Sequence, residues 1–319
     1  MYQGYITDVP GIEVGHAQNY EAMTGCSVIL TKKGAVGGVD VRGSAPGTRE
    51  TDLFGQKKTV NQVHAIVLAG GSAFGLDAAG GVMKYLEEEG VGYQTPVIKV
   101  PIVSSAVIFD LGLGSSRIRP DYHMGYLAAK NAKVNESLQG NIGAGTGASV
   151  GKILGPNYIM KTGLGSASVK LGSLVVGALV VLNAMGDVFD RNQGEQIAGV
   201  YDRQKKHFLK TSDLLRQFHM ENAITNTTIA CIATNARFDK EQTNKLAEMT
   251  HNAFARTIAP VHTSSDGDTI FALATQEVMA DLNLVGVMAI EAMEKAIMNA
   301  VYAADAYQNF PAYQNIFKP

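Results

Sequence analysis

Apolar runs of strand length recur along the chain, and segments with helical patterning lie before and after pairs of these runs. Most of the runs are bounded by glycines or by polar residues, as buried strands are. Because strands come in pairs and do not alternate one by one with helices, the pattern predicts an α/β fold built as a layered sandwich. The predicted strands are 65–69, 167–170, 174–183, 229–233 and 269–274, and the predicted helices are 76–89, 122–131, 239–256 and 282–302.

Two further segments allow more specific predictions. Residues 27–30 and 35–41 are predicted to be two strands around a turn at 32–34, where two lysines precede a glycine. Residues 193–216 are polar and charged and show no sustained apolar face. We therefore expect this segment to be an exposed and partly mobile connector.

The composition excludes several classes of protein. With 319 residues, 46% hydrophobic and 18% charged, the chain is expected to be globular, and the absence of a domain-sized linker predicts a single domain over 1–319. The net charge is −2 without a lysine or arginine cluster, so nucleic acid is not an expected partner. No stretch has the apolar length of a membrane span and the start lacks a signal-peptide pattern, so we expect no membrane association and a cytoplasmic location.

Three glycine-rich segments approach known motifs, but each lacks a part. Residues 143–148 fit the dinucleotide fingerprint only loosely, because no strand leads into them and no acidic residue follows about twenty positions later. Residues 147–152 are one residue too short for a phosphate loop, and Ile153 stands where a magnesium ligand is needed. Residues 70–74 lack the last glycine of a nucleophile elbow. A nucleotide-dependent enzyme stays open as an alternative through the glycines of 143–152.

No metal and no organic cofactor is expected. The Asp-Gly-Asp sequence at 266–268 could suggest calcium, but the residues after it supply no further oxygen ligands at the needed places. The seven histidines show no ligand spacing, and His251 and His262 are interpreted as surface or packing residues. Cys26 and Cys231 lie in apolar contexts and are predicted to be free, buried thiols.

The sequence Asn226-Thr227-Thr228 stands directly before the apolar run 229–233. A cut after Asn226 would turn Thr227 into an N-terminus that carries a nucleophilic hydroxyl and a free α-amine on one residue. An α-amine has an unperturbed pKa of about 8, so it can act as a base near neutral pH. A structural interpretation is also open, because β-branched residues often begin strands.

Four further polar residues stand where apolar runs end or begin. Asn183 follows the run 174–182, Lys152 follows a glycine turn, and Asp266 and Asp268 precede the strand from 269. Each alone has a structural interpretation, as a strand end or a turn residue. Together with Thr227 they supply a nucleophile, an amide donor for an oxyanion, a cation and a carboxylate pair. These are the parts of an amide hydrolase.

Several long motifs occur in one order over nearly the whole chain, at 39–51, 68–76, 107–111, 143–147, and 226–228 followed by 233–234. In these motifs the chain resembles the DmpA-type N-terminal nucleophile hydrolases. This family comprises β-aminopeptidases, L-aminopeptidase/D-amidases and nylon-oligomer hydrolases. The resemblance implies a four-layer αββα sandwich, autoprocessing into chains 1–226 and 227–319, and assembly as a homo-oligomer, often a tetramer.

The resemblance also implies roles for single residues. Thr227 matches the family nucleophile, and Asn226–Thr227 matches the processing bond. Asn183 matches the residue thought to help form the oxyanion site, and Lys152 matches a position that is lysine in the nylon-oligomer hydrolases. Asp266 and Asp268 match the acidic pair of the nylon-hydrolase branch. Asparagine at 226 and threonine at 227 also point to that branch.

The expected function is therefore self-cleavage followed by hydrolysis of amide bonds in peptide-like or polyamide (6-aminohexanoate) oligomers. The expected partner is a small amide or oligopeptide-like substrate. One departure from the family pattern is Asn235, where aspartate is usual. An aminopeptidase acting on β-amino or D/L-amino acid amides and short peptides is the alternative within the family. An inactive binding or scaffold protein with the same fold is a further alternative, against which the intact Thr227, Asn183 and Lys152 argue.

Overall fold

The computed structural model describes residues 1–217 and 226–317, and its helices flank strands on two sides. In these residues the helices are α1 Ala78–Glu88, α2 Tyr122–Lys130, α3 Thr211–Gln217, α4 Lys240–Thr257, α5 Leu282–Tyr302 and α6 Tyr313–Phe317. The strands are β1 Glu13–Asn19, β2 Thr24–Val41, β3 Thr48–Arg49, β4 Gln62–Ala69, β5 Tyr93–Gln94, β6 Lys99–Val100, β7 Val103–Val107, β8 Ser149–Val150, β9 Met160–Lys161, β10 Leu164–Leu171, β11 Leu174–Val181, β12 Asp187–Asp190, β13 Glu195–Ala198, β14 Val200–Asp202, β15 His207–Leu209, β16 Ile229–Ala236, β17 Ile258–Ala259 and β18 Thr269–Val278. None of these helices is both long and apolar enough to cross a membrane.

The main sheet is divided into two halves by the long strand β2. Its strand order is β10-β11-β16-β18-β2-β4-β7-β3, and β1 also pairs with β2. The first half of β2 pairs with β1 and β4, whereas residues 36–41 pair with β18. One strand therefore belongs to both halves and connects them covalently.

Alternate side chains of the strands enter different cores, and this alternation shows the layers. In β16, Ala230 and Ile232 join the core under α4 and α5, whereas Ile229 and Cys231 join a central core. In the other half, Val67 of β4 faces the core under α1 and α2, and its neighbours face the central core. The order of layers is helices, sheet, sheet, helices. The prediction of an α/β, four-layer αββα sandwich is confirmed.

The four long helical predictions are confirmed to within two residues at each end. Helix α4 begins with the capping box that the spacing of Asp239 and Gln242 predicts. The Asp239 carboxylate accepts from the Gln242 backbone N–H at 2.8 Å, and the Asp239 N–H donates to the Gln242 side chain at 3.1 Å. Each bond satisfies a backbone or side-chain group that would otherwise lack a partner at the helix end.

The predicted turn at 32–34 is wrong, because β2 runs without reversal from Thr24 to Val41. The pairing of β2 with β4 shifts register between Leu30 and Ala35, so the extra residues form an irregularity within the strand. Lys32 forms an ion pair with Glu13 of β1 at 3.1 Å. Because partners lie on both sides of the irregularity, the ladder holds the chain extended where the local sequence favours a turn.

The predicted exposed connector at 193–216 is also wrong. The segment contains three short strands and part of α3, and Ile197, Ala198 and Val200 are buried. The Asp187 carboxylate fastens it, accepting from the Thr211 N–H at 2.6 Å and the Thr211 hydroxyl at 2.8 Å. This acceptor stands outside the segment, so its own polar composition gave no sign of it. Residues 218–225, upstream of the predicted cut, lie outside the described residues.

Candidate active site

Three strands meet where the predicted site residues stand. Strands β16 and β18 are parallel, with Ile229 opposite Thr269, and β11 runs antiparallel beside β16 with Val181 opposite Ile229. Residues just before β16 and β18 therefore lie at the same edge as residues just after β11. The structure brings Thr227, Asn183, Asp266 and Asp268 to this edge.

Thr227 is nearly buried, and its hydroxyl lies against the carbonyl of the preceding residue. The residue is 6% exposed, and its Oγ1 donates a hydrogen bond to the carbonyl oxygen of Asn226. Its backbone N–H donates to the carbonyl oxygen of Asn183 at 3.1 Å. The hydroxyl and the carbonyl of the predicted processing bond are thus in direct contact within the uncut chain.

The Asn226 carbonyl oxygen also accepts from the backbone N–H of Gly267 at 3.1 Å. The bond extends the parallel β16–β18 pairing one step upstream, through a bridge between Asn226 and Asp266. A side chain at Gly267 does not fit, because a Cβ there would stand 2.6 Å from the Ala45 carbonyl oxygen and 2.9 Å from Thr227 Oγ1. A backbone donor on this oxygen polarises the carbonyl and would stabilise negative charge developing on it.

Lys152 contacts Asn183 directly. Its Nζ donates to Asn183 Oδ1 at 2.6 Å and lies 3.4 Å from the Asn183 carbonyl oxygen. Burial of the ammonium group lowers the pKa of Lys152 to about 7, although the charges of Asp110 and Asp266 oppose the shift. An amine with such a pKa exists in both protonation states near neutral pH, so it can accept or donate a proton.

The Asn183 side chain joins three segments. Besides Lys152, Oδ1 accepts from the Ser149 N–H at 3.2 Å, and Nδ2 donates to the Phe109 carbonyl oxygen at 3.2 Å. Asn183 is fully buried, so these bonds fix its amide. The amide nitrogen retains one further hydrogen beyond the bond to Phe109, and the predicted oxyanion role of Asn183 stays a prediction.

The two aspartates differ in how their oxygens are used. Asp268 accepts from the Thr228 N–H at 2.7 Å through Oδ1, and Oδ2 accepts from the backbone and ring of His262. Asp266 Oδ2 accepts from the Thr263 N–H at 2.7 Å, whereas its buried Oδ1 has no hydrogen-bond partner within the described residues. Burial, followed by the charge of Asp268, raises the pKa of Asp266 to about 6. Asp266 is therefore the carboxylate with an unused acceptor atom.

Two buried charged residues beside Lys152 were not predicted from the sequence. Asp110 accepts from the Gly71 N–H and the Thr24 hydroxyl, both at 2.7 Å. Lys161 is fully buried, and its Nζ donates to the carbonyl oxygens of Thr146 at 2.9 Å and Ala148. Burial lowers the pKa of Lys161 to about 7 as well. The only signal for Asp110 was its place in the motif 107–111, and a lysine following an apolar residue gave none for Lys161.

The glycine-rich segments let the backbone approach this charged cluster. A Cβ at Gly70 would collide with the Asp110 carboxylate, and one at Gly147 would stand 2.5 Å from the same carboxylate oxygen. Residues 143–150 are all buried. Close packing explains these glycines, and the segment offers no open surface to a nucleotide.

A small neutral cavity of about 130 Å³ opens beside Thr227. Its lining includes Pro46, Ala73, Ile108 and Phe109, and no side chain of the described lining carries a charge. The described residues also contain no group of three or more His, Cys, Asp or Glu side chains that could hold a metal ion. The cavity suits an uncharged group next to the Thr227 hydroxyl.

Comparison with known proteins identifies the family. The pattern described as Peptidase family S58 matches residues 4–313. The chain belongs to peptidase family S58. It is therefore a hydrolase that acts on amide or peptide bonds, and the resemblance drawn from the motifs is confirmed.

Relatives of the S58 chain carry the names of both branches of the family. An uncharacterised aminopeptidase of Mycobacterium leprae is 38% identical over 98% of this chain and 94% of its own length. A 6-aminohexanoate-oligomer endohydrolase of Kocuria sp. (strain KY2) is also 38% identical, over 85% of this chain and 75% of its own length. Sequence identity alone therefore does not separate the two activities.

A solved structure shows the same fold. The L-aminopeptidase D-Ala-esterase/amidase of Ochrobactrum anthropi, described as a variant of the Ntn hydrolase fold, superposes with a TM-score of 0.73. It is 19% identical, and the match covers 95% of this chain and 89% of that one. The S58 chain has the Ntn-hydrolase-like fold that the resemblance implied.

Proposed function

We propose that this amide hydrolase cuts itself between Asn226 and Thr227 and then uses Thr227 as its N-terminal nucleophile. The observation that supports the proposal most is the contact of the Thr227 hydroxyl with the Asn226 carbonyl oxygen, which also accepts from the Gly267 N–H. A nucleophile and a polarised carbonyl are adjacent in the uncut chain. The products would be chains 1–226 and 227–319.

In the first step, Thr227 Oγ1 attacks the Asn226 carbonyl carbon and the Thr227 amide nitrogen leaves, which forms an ester. The α-amine of Thr227 is released in this shift. Water then hydrolyses the ester, which leaves a carboxylate on Asn226 and restores the Thr227 hydroxyl. The Thr227 nitrogen is an amide during the attack, so another group must take the hydroxyl proton. Asp266, Asp268 and Lys152 are the candidates, and Asp266 Oδ1 is the acceptor without a hydrogen-bond partner in the described residues.

In the mature enzyme, the α-amine of Thr227 takes the proton of its own hydroxyl while Oγ1 attacks the substrate amide. Asn183 and the Gly267 N–H would stabilise the oxyanion, a contribution of about 3 kcal/mol per donor in other acyl-transfer enzymes. Lys152, in contact with Asn183 Oδ1, would add positive charge near the oxyanion. Water releases the acyl group, and no residue role in this scheme requires a metal or cofactor.

The proposed substrates are amides of peptide-like or polyamide oligomers, such as 6-aminohexanoate oligomers. The neutral lining of the cavity beside Thr227 supports an acyl group without a charge near the scissile bond. The second candidate is an aminopeptidase, which the name of the Mycobacterium leprae relative favours. The two differ in whether the site requires a free amino end, so matched oligomers with free and with acetylated amino ends distinguish them.

We infer a cytoplasmic homo-oligomer, a tetramer in keeping with the family resemblance, in which the two chains of each processed protomer stay together. Strands β11 and β16 lie on opposite sides of the proposed cut and pair over six residues, from Val176 opposite Thr234 to Val181 opposite Ile229. This pairing would hold the chains together after cleavage.

Denaturing intact-mass measurement tests the cut. The purified wild-type protein is expected to give two masses, those of residues 1–226 and 227–319, in place of the mass of the whole chain. Prolonged incubation should convert any uncut remainder into the same pair. A folded wild-type protein that stays in one piece, or that separates at another bond, would contradict the proposal.

The unusual pKa of Asp266 predicts a cost in stability. Its pKa is raised from 3.8 to about 6, so the folded chain holds the proton more tightly than the unfolded chain. Stability contributed by this group therefore falls as pH rises from about 4 to about 6. Asp266→Asn is expected to increase the free energy of unfolding at pH 7 by about 1–3 kcal/mol.

Urea unfolding of Asp266→Asn in a Thr227→Ala background measures this effect on uncut chains. The matched control is Asp268→Asn, which disturbs a carboxylate that already accepts three hydrogen bonds and should lower stability. An Asp266→Asn variant that is less stable than its parent at pH 7 would show that ionised Asp266 is not a burden on the fold.

A further inference from the structure

His262 was interpreted as a surface or packing residue, but its ring lies against the acidic pair. Its Nδ1 is 2.8 Å from Asp268 Oδ2, and its backbone N–H donates to the same oxygen at 3.2 Å. The ring centroid is 4.9 Å from that of His251 and 6.1 Å from that of Phe254, both on α4. The ring is therefore held between α4 and the turn that carries Asp268.

Asp268 connects the His262 ring to the peptide beside Thr227. Its second oxygen, Oδ1, accepts from the N–H of Thr228 at 2.7 Å, which is the peptide that follows Thr227. Asp268 is 2% exposed, so water does not replace these donors readily. A carboxylate bonded on both oxygens is fixed in rotation, and it fixes the peptide plane to which it is bonded.

We propose that His262 is a positioning residue for the reaction at Thr227. Its ring N–H orients the Asp268 carboxylate, and Asp268 holds the Thr228 amide so that Thr227 Oγ1 stays against the Asn226 carbonyl. The inference rests on the proposed self-cleavage. It assigns to Asp268 an anchoring task and leaves the proton exchange to Asp266, whose Oδ1 has no hydrogen-bond partner in the part of the chain that the structure describes.

The backbone at His262 selects the variants that test the ring. Its φ is +56°, in the left-handed region that asparagine tolerates and most larger residues avoid. The side-chain nitrogen of asparagine can occupy nearly the position of a histidine Nδ1 and can donate to Asp268. His262→Asn keeps the donor, whereas His262→Leu has the same branching without a donor.

The charge of His262 predicts a shift in the pH dependence of self-cleavage that a packing role alone would not produce. Among the described residues, the charged groups that face Asp266 are Asp268, His262 and Lys152, and the imidazolium form of His262 opposes the rise in the pKa of Asp266. On the other side of the ring, burial lowers the pKa of His251 to about 4, so that residue is neutral near pH 7. Without His262, the acid limb of the cleavage rate is expected to move to higher pH.

The experiment follows self-cleavage of the full chain. Wild type, His262→Asn and His262→Leu are made by brief cell-free translation, stopped, and transferred to buffers between about pH 5 and pH 8 that span the titration of a carboxyl group with raised pKa. The cut fraction is followed with time, and urea unfolding compares the stability of the three chains in a Thr227→Ala background. These measurements separate loss of fold from loss of positioning.

We expect His262→Leu to cleave about tenfold to hundredfold more slowly than wild type, the cost of a lost charge-assisted hydrogen bond. His262→Asn should stay within about threefold of wild type at the alkaline end, with its acid limb at higher pH. Wild-type rates in both variants, or an Asn variant as slow as the Leu variant at equal stability, would overturn the role of His262. A wild-type chain that never cleaves would instead overturn the proposed function itself.

Discussion

Replacing Thr227 by alanine is expected to leave the protein as one uncut polypeptide without amide-hydrolase activity. The substitution removes the Oγ1 atom that contacts the Asn226 carbonyl oxygen. Loss of a nucleophile in hydrolases of this mechanistic kind costs on the order of 10⁴-fold or more in turnover. Both steps share the atom, so both should fail together.

Thr227→Ser is the matched control. Serine retains the hydroxyl and loses only a methyl group from a residue that is 6% exposed, so it should cleave and then hydrolyse with a modest loss of rate. Intact mass and turnover of a 6-aminohexanoate oligomer are measured on both variants. Two-chain processing in Thr227→Ala, or an inert Thr227→Ser of normal stability, would remove Thr227 from the mechanism.

The layered fold was accessible from the sequence because its strands are uniformly apolar and its helices carry local signals. The runs at 174–182 and 229–233 are buried on both faces, as strands between two cores must be. The helix at 282–302 has the length and apolar content of a covering element, and α4 has its capping box. These signals are local, so they can be recognised without knowledge of the tertiary structure.

The errors arose where distant partners outweigh local preference. Gly34 after two lysines favours a turn, but β1, β4 and β18 hold β2 extended on both sides of it. The segment 193–216 is polar, yet the carboxylate of Asp187 supplies acceptors for its backbone. Neither effect can be found by inspecting the segment alone.

The same limit explains which site residues were found. Thr227, Asn183 and the aspartates stand beside recognisable strands, so their positions at one sheet edge could be anticipated. His262, Asp110 and Lys161 form hydrogen bonds to partners 6 to 86 residues away in sequence, and no spacing rule connects them to the site. Buried charges of this kind become visible only when the partners that compensate for their burial are in place.

Replacing Lys152 by methionine is expected to abolish most activity while preserving or increasing stability. Burial lowers the pKa of Lys152 from 10.5 to about 7, so the folded chain binds this proton less tightly than the unfolded chain. The penalty of holding the charged form is fully present below about pH 7 and disappears as pH rises toward 10.5. Methionine fills a similar volume without a charge, so the gain in stability should be largest in mildly acidic buffer.

The hydrogen bonds lost with the amine set the limit to that gain. Asn183 Oδ1 still accepts from the Ser149 N–H in the variant, so it is not left without a donor. We expect a gain of about 1–3 kcal/mol at pH 6, after allowance for the lost bond to Asn183. Urea unfolding of Lys152→Met and its parent, both in a Thr227→Ala background, measures the change on uncut chains.

Activity should move in the opposite direction, because the amine is the one cation within hydrogen-bond reach of Asn183 among the described residues. Loss of a positioned cation or proton donor costs about 10²-fold or more in hydrolysis. Lys152→Arg separates the two tasks, since arginine keeps the charge but cannot become neutral at working pH. Retained turnover in Lys152→Arg assigns an electrostatic task, and loss in both variants assigns proton exchange. A Lys152→Met enzyme as active as wild type would show that this residue performs neither task. Any gain in stability would then reflect only the removal of a buried charge.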